Sequence, residues 1–223
     1  KSYIIKTQGN AGYIDVVEAN IYDEKKIRNL FSKADICINL IGILFEKKKG
    51  NTFHNIHTLL PSLLAKLSKE YKLNNFPLAT ILRPSVVYSV DDNFTTNFMT
   101  LLNRLPIFPL YYSGKTKFTP IHCSDLTDII YYIISKNINS KIIECVGPEV
   151  ITFKNIIERL LILIDKKRIL LPMPLSLALI SAKIFQLMPN PLLTEDQLRL
   201  LKYDNILSKK YKSNFDIGIP SKR

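Results

Sequence analysis

The chain of 223 residues has no tryptophan, three cysteines, three histidines and only seven glycines. Cys37, Cys123 and Cys145 are odd in number and isolated, each in an apolar or strand-like setting. They are read as buried free thiols of a reducing compartment, which excludes a disulfide frame or a metal site built on cysteine. His54 and His57 could share one helix face, yet no Cys, Asp or Glu stands at ligand spacing, so zinc is not expected. No signal peptide opens the sequence, and no apolar run approaches the ~20 residues of a membrane span. A soluble or peripheral protein is expected. Acidic residues are also scarce, 19 against 31 Lys and Arg, for a net charge of +12. Such an excess fits a nucleic acid, an anionic membrane surface or a phosphate-bearing ligand. The lysines fall in clusters (Lys47–Lys49, Lys166–Arg168, Lys209–Lys212) without interleaved aromatics or a nucleic-acid motif, so they read as a solvated face and no nucleic-acid partner is expected.

What is present is a globular composition, 47% hydrophobic and 22% charged, enough for a sizeable core. The length fits one large domain or one and a half at ~150 residues per domain. The chain is organised around Ala34–Glu46, ADICINLIGILFE. Ile36, Cys37, Ile38 and Leu40 form a continuous apolar segment of strand length, the pattern of a central strand buried on both faces of a parallel sheet. Asn39 and Gly42 place an amide and a small residue at the sheet's carboxyl edge, where open α/β sheets hold their ligands. The plainer reading, in which Gly42 turns the chain and Asn39 satisfies a backbone group, stands beside it.

Taken in order, Tyr13–Ala19 alternates loosely and predicts a strand, and Asp23 predicts the N-cap of a helix over Glu24–Phe31. After the organising strand and a basic loop, apolar residues recur at helical spacing from Phe53 to Leu67. They predict a helix over Thr52–Tyr71 with Pro61 as its awkward member. Strand, helix, strand, helix is the signature of a doubly wound parallel sheet. Pro77–Tyr88 predicts another buried strand with an exit loop, Phe94–Leu105 a helix, and Pro106–Gly114 an irregular connection. Phe118–Cys123 predicts a short strand, with Ser124 and Asp125 capping a helix over Leu126–Ser135 and His122 in a loop. Lys141–Val146 predicts a strand closed by a turn at Gly147 and Pro148. Thr152 opens a helix over Phe153–Ile164, and Ile169–Leu171 reads as a short strand. Pro174–Met188 is apolar on most faces and too short to span a bilayer, which suits a buried or interfacial helix. A last helix runs from Thr194 through Tyr203, and a basic, partly extended tail follows.

INLIGILFE, TFHNIHTLLPSLLAKLSKE, ATILRPSVVY, FTPIHCSDLTD, VGPEVITFKNII and MPNPLLTEDQLRLLKYDN together resemble the bacterial relatives of the nucleotide-binding accessory subunit of respiratory complex I. These are atypical short-chain dehydrogenase/reductases of the NAD-dependent epimerase/dehydratase kind. The similarity covers nearly the whole chain, and PNPLLTEDQ is its most specific part. It implies a Rossmann-type α/β fold, with a nucleotide-binding core over 1–110 and a C-terminal part over 111–223 that completes the sheet and forms a small substrate-side lobe. Carried over residue by residue, Asn20 and Ile21 match the loop beside the adenine. Asn39, Leu40, Ile41 and Gly42 match the loop under the ribose and phosphates, and Arg83, Pro84, Ser85 and Val86 the loop flanking the nicotinamide. The implied cofactor is NADP(H) or NAD(H).

Two departures stand out. The family's opening strand, glycine-rich turn and helix, which hold the pyrophosphate, have no counterpart, since Gly9-Asn10-Ala11-Gly12 neither follows a strand nor opens a helix. The Tyr-x-x-x-Lys segment of the catalytic members would fall where Phe76 runs directly into Pro77. Either the chain has lost both pieces, or two segments of a longer chain are missing from this sequence. The second is the expectation, because deleting a central strand and helix leaves a hole in the core. The implied function is nicotinamide dinucleotide binding in a structural or redox-sensing role at respiratory complex I. An active oxidoreductase or epimerase, and a peripheral factor on an anionic inner-membrane surface, are the alternatives. The implied location is cytoplasmic, with peripheral contact to the inner membrane.

Overall fold

The protein is described from a computed structural model, in which residues 5, 9–10, 12–43, 46, 50–73, 79–90, 92–139, 141–174, 177 and 195–222 are placed. They gather into two compact units, Lys1–Ile43 with Lys48–Pro77, and Leu44–Lys47 with Leu78–Arg223.

In the first unit, helix α1 (Glu24–Phe31) begins as predicted at Asp23, whose carboxylate accepts the Lys26 N–H at 3.0 Å. Helix α2 (Leu60–Glu70) is preceded by a π-helical turn, Asn55–Leu59, in which the Leu60 N–H reaches the Asn55 carbonyl. Proline lacks an N–H, and its ring clashes with the carbonyl four residues earlier. The wide turn just before Pro61 opens the ladder where that clash would fall, so the predicted helix passes the proline without ending. Ile27, Phe31, Leu67 and Leu73 form the buried core of this unit. Arg28 joins the two helices at the surface, bonding Glu24 on its own helix and both oxygens of Glu70, at 2.5 and 2.6 Å.

The two strands expected here are corrected by the structure. Neither Tyr13–Ala19 nor Ile36–Gly42 forms a strand, and among the described residues no strand is hydrogen-bonded to either. Leu40 is 80% exposed and Tyr13 85%. An apolar, β-branched run marks a segment suited to burial between neighbours, but a ladder also needs a partner for its backbone groups. The local sequence carries no information about that partner. Cys37 is exposed as well, and so is Cys123, while Cys145 is buried. The expectation of three buried thiols therefore holds for one, and burial pushes its pKa up to about 12.

The second unit alternates strands and helices. Strands β1 (Ile81–Pro84) and β2 (Val87–Tyr88) lead into α3 (Asn93–Arg104), β3 (Ile107–Tyr111), β4 (Lys117–Phe118), β5 (Ile121–His122) and α4 (Cys123–Ser135). Then come β6 (Ile142–Cys145), β7 (Ile151–Thr152), α5 (Phe153–Leu163), β8 (Ile169–Met173), α6 (Glu195–Leu200) and β9 (Lys212–Ser213). Strands β1, β6 and β9 form a parallel sheet in the order β1-β6-β9, β2 pairs with β5 and β3 with β8 in parallel, and β4 pairs with β7 antiparallel. One core cluster packs Phe98, Leu102, Phe108, Phe153, Ile157 and Leu198. A second sets Ile129 and Ile133 of α4 against Ile121, Ile143 and Cys145.

Three local expectations change. Pro106–Gly114 is not irregular: Ile107–Tyr111 pairs with β8, which buries Phe108 and Leu110 in the larger core. The proline content hid this strand, because Pro109 signals a break. Helix α4 starts three residues early, and its cap is His122, whose ring Nδ1 accepts from the Ser124 N–H. Among the described residues the last helix covers Glu195–Leu200, ending before Tyr203. Thr152 caps α5 as predicted, in a reciprocal capping box with Asn155. Most of Pro174–Met188 lies outside the described residues, as does the Phe76–Pro77 junction. Among the described residues no helix is long and apolar enough to cross a membrane.

The tail after α6 is bound along the sheet. Past β9, Asp216 accepts from the Ser213 N–H at 2.7 Å and from its hydroxyl at 2.8 Å. These bonds hold its carboxyl below the usual carboxylate range. A depressed folded-state pKa stabilises the fold above the unfolded value and loses that contribution as pH falls through the folded one. The stabilising contribution of Asp216 is therefore complete above the ordinary carboxylate range and is lost on acidification below about pH 4, which should steepen the acid limb of a denaturation curve followed by circular dichroism. Asp216→Asn should flatten that acid limb.

Candidate functional site

The residues that sequence matching assigned to a cofactor lie on both units. On the first, Asn20 accepts the Tyr22 N–H at 3.0 Å and Asn39 accepts the Ile41 N–H at 3.1 Å. Both are side-chain turns that bend the backbone two residues on. Leu40 and Ile41 are exposed. A Cβ on Gly42 would meet His57 Cε1 at 3.5 Å, an ordinary contact. Gly42 is thus not demanded by its own fold, and its absent side chain leaves the backbone open to approach. His57, stacked on Phe53 with ring centroids 5.9 Å apart, brings its Nε2 to 3.1 Å from the Ile43 carbonyl. Sequence reading weighed His57 only as a metal ligand; here it braces the end of the 39–42 loop.

On the second unit, Arg83-Pro84-Ser85-Val86 sits at the carboxyl end of β1, the edge where a parallel sheet presents ligands. The Arg83 guanidinium lies 4.7 Å from the centre of the Tyr211 ring, held by a cation–π contact. Ser85 is 6% exposed. Its N–H continues the ladder to the Cys145 carbonyl at 3.0 Å, its hydroxyl donates to the Asn205 carbonyl at 2.9 Å, and its oxygen accepts the Thr119 N–H at 3.2 Å. Ser85 therefore shapes this loop. Arg83 thus presents an exposed cation at a parallel strand end, chemistry suited to a phosphate-bearing ligand.

A Tyr-x-x-x-Lys spacing occurs at Tyr111 and Lys115, at Tyr132 and Lys136, and at Tyr22 and Lys26, where α1 begins. The Tyr22 hydroxyl donates to the Gly50 carbonyl at 2.6 Å, and the Lys26 ammonium donates to the Glu18 carbonyl. Both groups tie backbone together, the arrangement of a structural pair. Among the described residues no group of three or more His, Cys, Asp or Glu side chains is assembled.

With this geometry in hand, the fold has clear counterparts among solved structures. The chain superposes on a UDP-glucuronic acid 4-epimerase from Bacillus cereus in complex with NAD, with a TM-score of 0.61 over 93% of this chain and 80% of that one, at 16% identity. A hypothetical dTDP-4-dehydrorhamnose reductase from Sulfolobus tokodaii gives a TM-score of 0.57 over 95% and 91%, at 12% identity. The protein has the Rossmann-type α/β fold of these epimerases and reductases.

Its sequence relatives are more particular. It is 24% identical, over 92% of its length, to NADH dehydrogenase (ubiquinone) 1 alpha subcomplex subunit 9, mitochondrial, of Arabidopsis thaliana. The subunits of the same name from Dictyostelium discoideum and Mus musculus are 25% and 21% identical over 70% and 96% of the chain. The resemblance read from the motifs is thus borne out. No protein-family model matches the chain. The match spans 61% of the plant subunit, 52% of the Dictyostelium one and 66% of the mouse one. The plant alignment runs over 247 residues against 223 in the whole chain, so the matched span of the relative contains residues that have no counterpart here.

Proposed function

We propose that the chain is a nicotinamide dinucleotide-binding accessory protein of the respiratory NADH dehydrogenase kind, which holds NADP(H) or NAD(H) in a structural or redox-sensing role. The observation that carries this reading is similarity over 92% of the chain to a subunit of that complex, joined to a fold whose solved counterpart is in complex with NAD. Asn20, Ile21 and Asn39–Gly42 take the adenosine and phosphate side, and Arg83–Val86 the nicotinamide side. When bound, the dinucleotide supplies any hydride chemistry; the chain supplies backbone donors, a cation at Arg83 and a basic surround. Its place is at the respiratory complex, peripheral to the membrane. Active oxidoreductase or epimerase chemistry is the second reading.

Thermal unfolding with NADH or NADPH at a hundredfold excess over Kd is expected to show a rise of about 2.7 kcal/mol in stability. Gly42→Val should abolish that rise while leaving the circular dichroism of the free protein unchanged. An unchanged rise in the variant would remove Gly42 from the site, and substrate-independent binding without turnover separates the accessory reading from the enzyme.

A further inference from the structure

The C-terminal block that most sharply marks the sequence resemblance ends in Lys202-Tyr203-Asp204-Asn205, and the structure shows what its last two residues touch. The Asp204 carboxylate accepts the Lys117 N–H at 2.8 Å. The Asn205 N–H donates to the Lys117 carbonyl at 2.8 Å, and Asn205 pairs with Phe118 in a parallel bridge. The Asn205 carbonyl then accepts the Ser85 hydroxyl at 2.9 Å and the Thr119 N–H at 3.3 Å. One turn earlier, the buried Thr116 hydroxyl donates to the Leu201 carbonyl. These bonds form a seam running from the exit of α6, along β4, to the loop after β1. The Val86 carbonyl in that loop accepts the Ile121 N–H at 2.9 Å, so the loop is held from both sides.

We infer that Asp204 and Asn205 are positioning residues for the Arg83–Val86 loop: by stapling β4 to Ser85 they fix the edge against which the nicotinamide end of a bound dinucleotide lies. The inference rests on the dinucleotide reading above and adds to it a role for the tail. Ser85 has its hydroxyl committed to Asn205, so its backbone position is set by the tail and not by a ligand. Asp204 anchors Asn205 by a charge-assisted bond to a backbone N–H, the stronger class of hydrogen bond. No bond of the staple involves the residues assigned to the adenine or the phosphates.

The test uses the whole protein, with two probes that share the adenosine diphosphate half and differ at the nicotinamide: NADH and ADP-ribose. Asp204→Ala is expected to weaken NADH binding by about tenfold, the equivalent of one such hydrogen bond, and to leave ADP-ribose binding unchanged. Hydrogen exchange should quicken at the Ser85, Lys117 and Thr119 amides in that variant. Asp216→Ala removes a comparable carboxylate cap from the same tail without touching the loop, and should alter neither probe. Unchanged NADH affinity, an equal loss for both probes, or unchanged exchange at those three amides would each overturn the inference. If wild type binds neither probe, the dinucleotide reading itself fails; the exchange of the three amides still decides whether the tail holds the loop.

Discussion

Gly147→Ala is expected to unfold the second unit or to cost it about 3 kcal/mol or more, the upper end of what overpacking costs. Gly147 follows β6, and its N–H donates to the Thr119 carbonyl at 3.0 Å. A Cβ there would lie 1.6 Å from the Pro120 carbonyl oxygen and 2.7 Å from its carbon. No side-chain rotation relieves a clash with backbone, so either the β6 exit or the Thr119–Pro120 connection between β4 and β5 has to move. Both border the loop after β1. Chemical denaturation with urea reads the loss directly. Gly42→Ala, where the nearest atom would be 3.5 Å away, should unfold within about 1 kcal/mol of wild type, close to the ordinary cost of a surface substitution.

The second large effect is expected at Asn214, fully buried in the tail. Its amide oxygen accepts the Val146 N–H at 2.9 Å, and its nitrogen donates to the Ile219 carbonyl at 3.0 Å and the Ser221 hydroxyl at 3.3 Å. Its own N–H reaches the Glu144 carbonyl at 3.0 Å, beside the β6–β9 pairing. Replacing the side chain with alanine leaves the buried Val146 N–H without its acceptor and frees the end of the tail. A buried group left unpaired costs ~1–3 kcal/mol, and the cavity adds to it, so Asn214→Ala should lower stability by about 2–4 kcal/mol in urea denaturation. Ser208→Ala is the contrasting variant. Its exposed hydroxyl accepts the Lys210 N–H at 3.1 Å, and the expected change is within about 0.5 kcal/mol.

Both residues show what could be read in the sequence and what could not. Gly147-Pro148 is legible as a turn, but the approach of Pro120 that forbids any side chain there joins segments far apart in the chain. Asn214 sits in a basic, polar tail that reads as solvated, and its tie to Val146, 68 positions away, is what makes it a core residue. Local signals fared well where the cause was local. Asp23 and Thr152 cap their helices because a carboxylate or hydroxyl three residues before an N–H has one obvious partner. The helical spacing of Phe53–Leu67 survives Pro61 because a π turn absorbs it. The organising apolar run, Ile36–Leu40, failed as a strand because periodicity reports what a segment suits and not what pairs with it. Pro109 hid a strand for the opposite reason, since pairing with β8 and burial of Phe108 and Leu110 outweighed a local break signal.

The site was legible to a smaller degree. Asn39 and Gly42 draw attention as an amide and a small residue near a strand end, and the structure gives the amide a turn to hold and the glycine an ordinary contact with His57. Arg83–Val86 was placed by family resemblance alone, and the structure sets it at the carboxyl end of a parallel strand. The tie from Ser85 to Asn205 spans 120 residues of sequence, and no spacing rule could reveal it. The resemblance had singled out the block containing Asn205 without giving a physical reason, which the seam along β4 supplies.

The measurement that bears most directly on the account is isothermal titration of the purified full chain with NADH and NADPH. The account predicts saturable one-to-one binding of at least one of them, with heat that disappears in Gly42→Val. A flat titration with both dinucleotides at millimolar concentration, from a protein whose circular dichroism shows it folded, would contradict it.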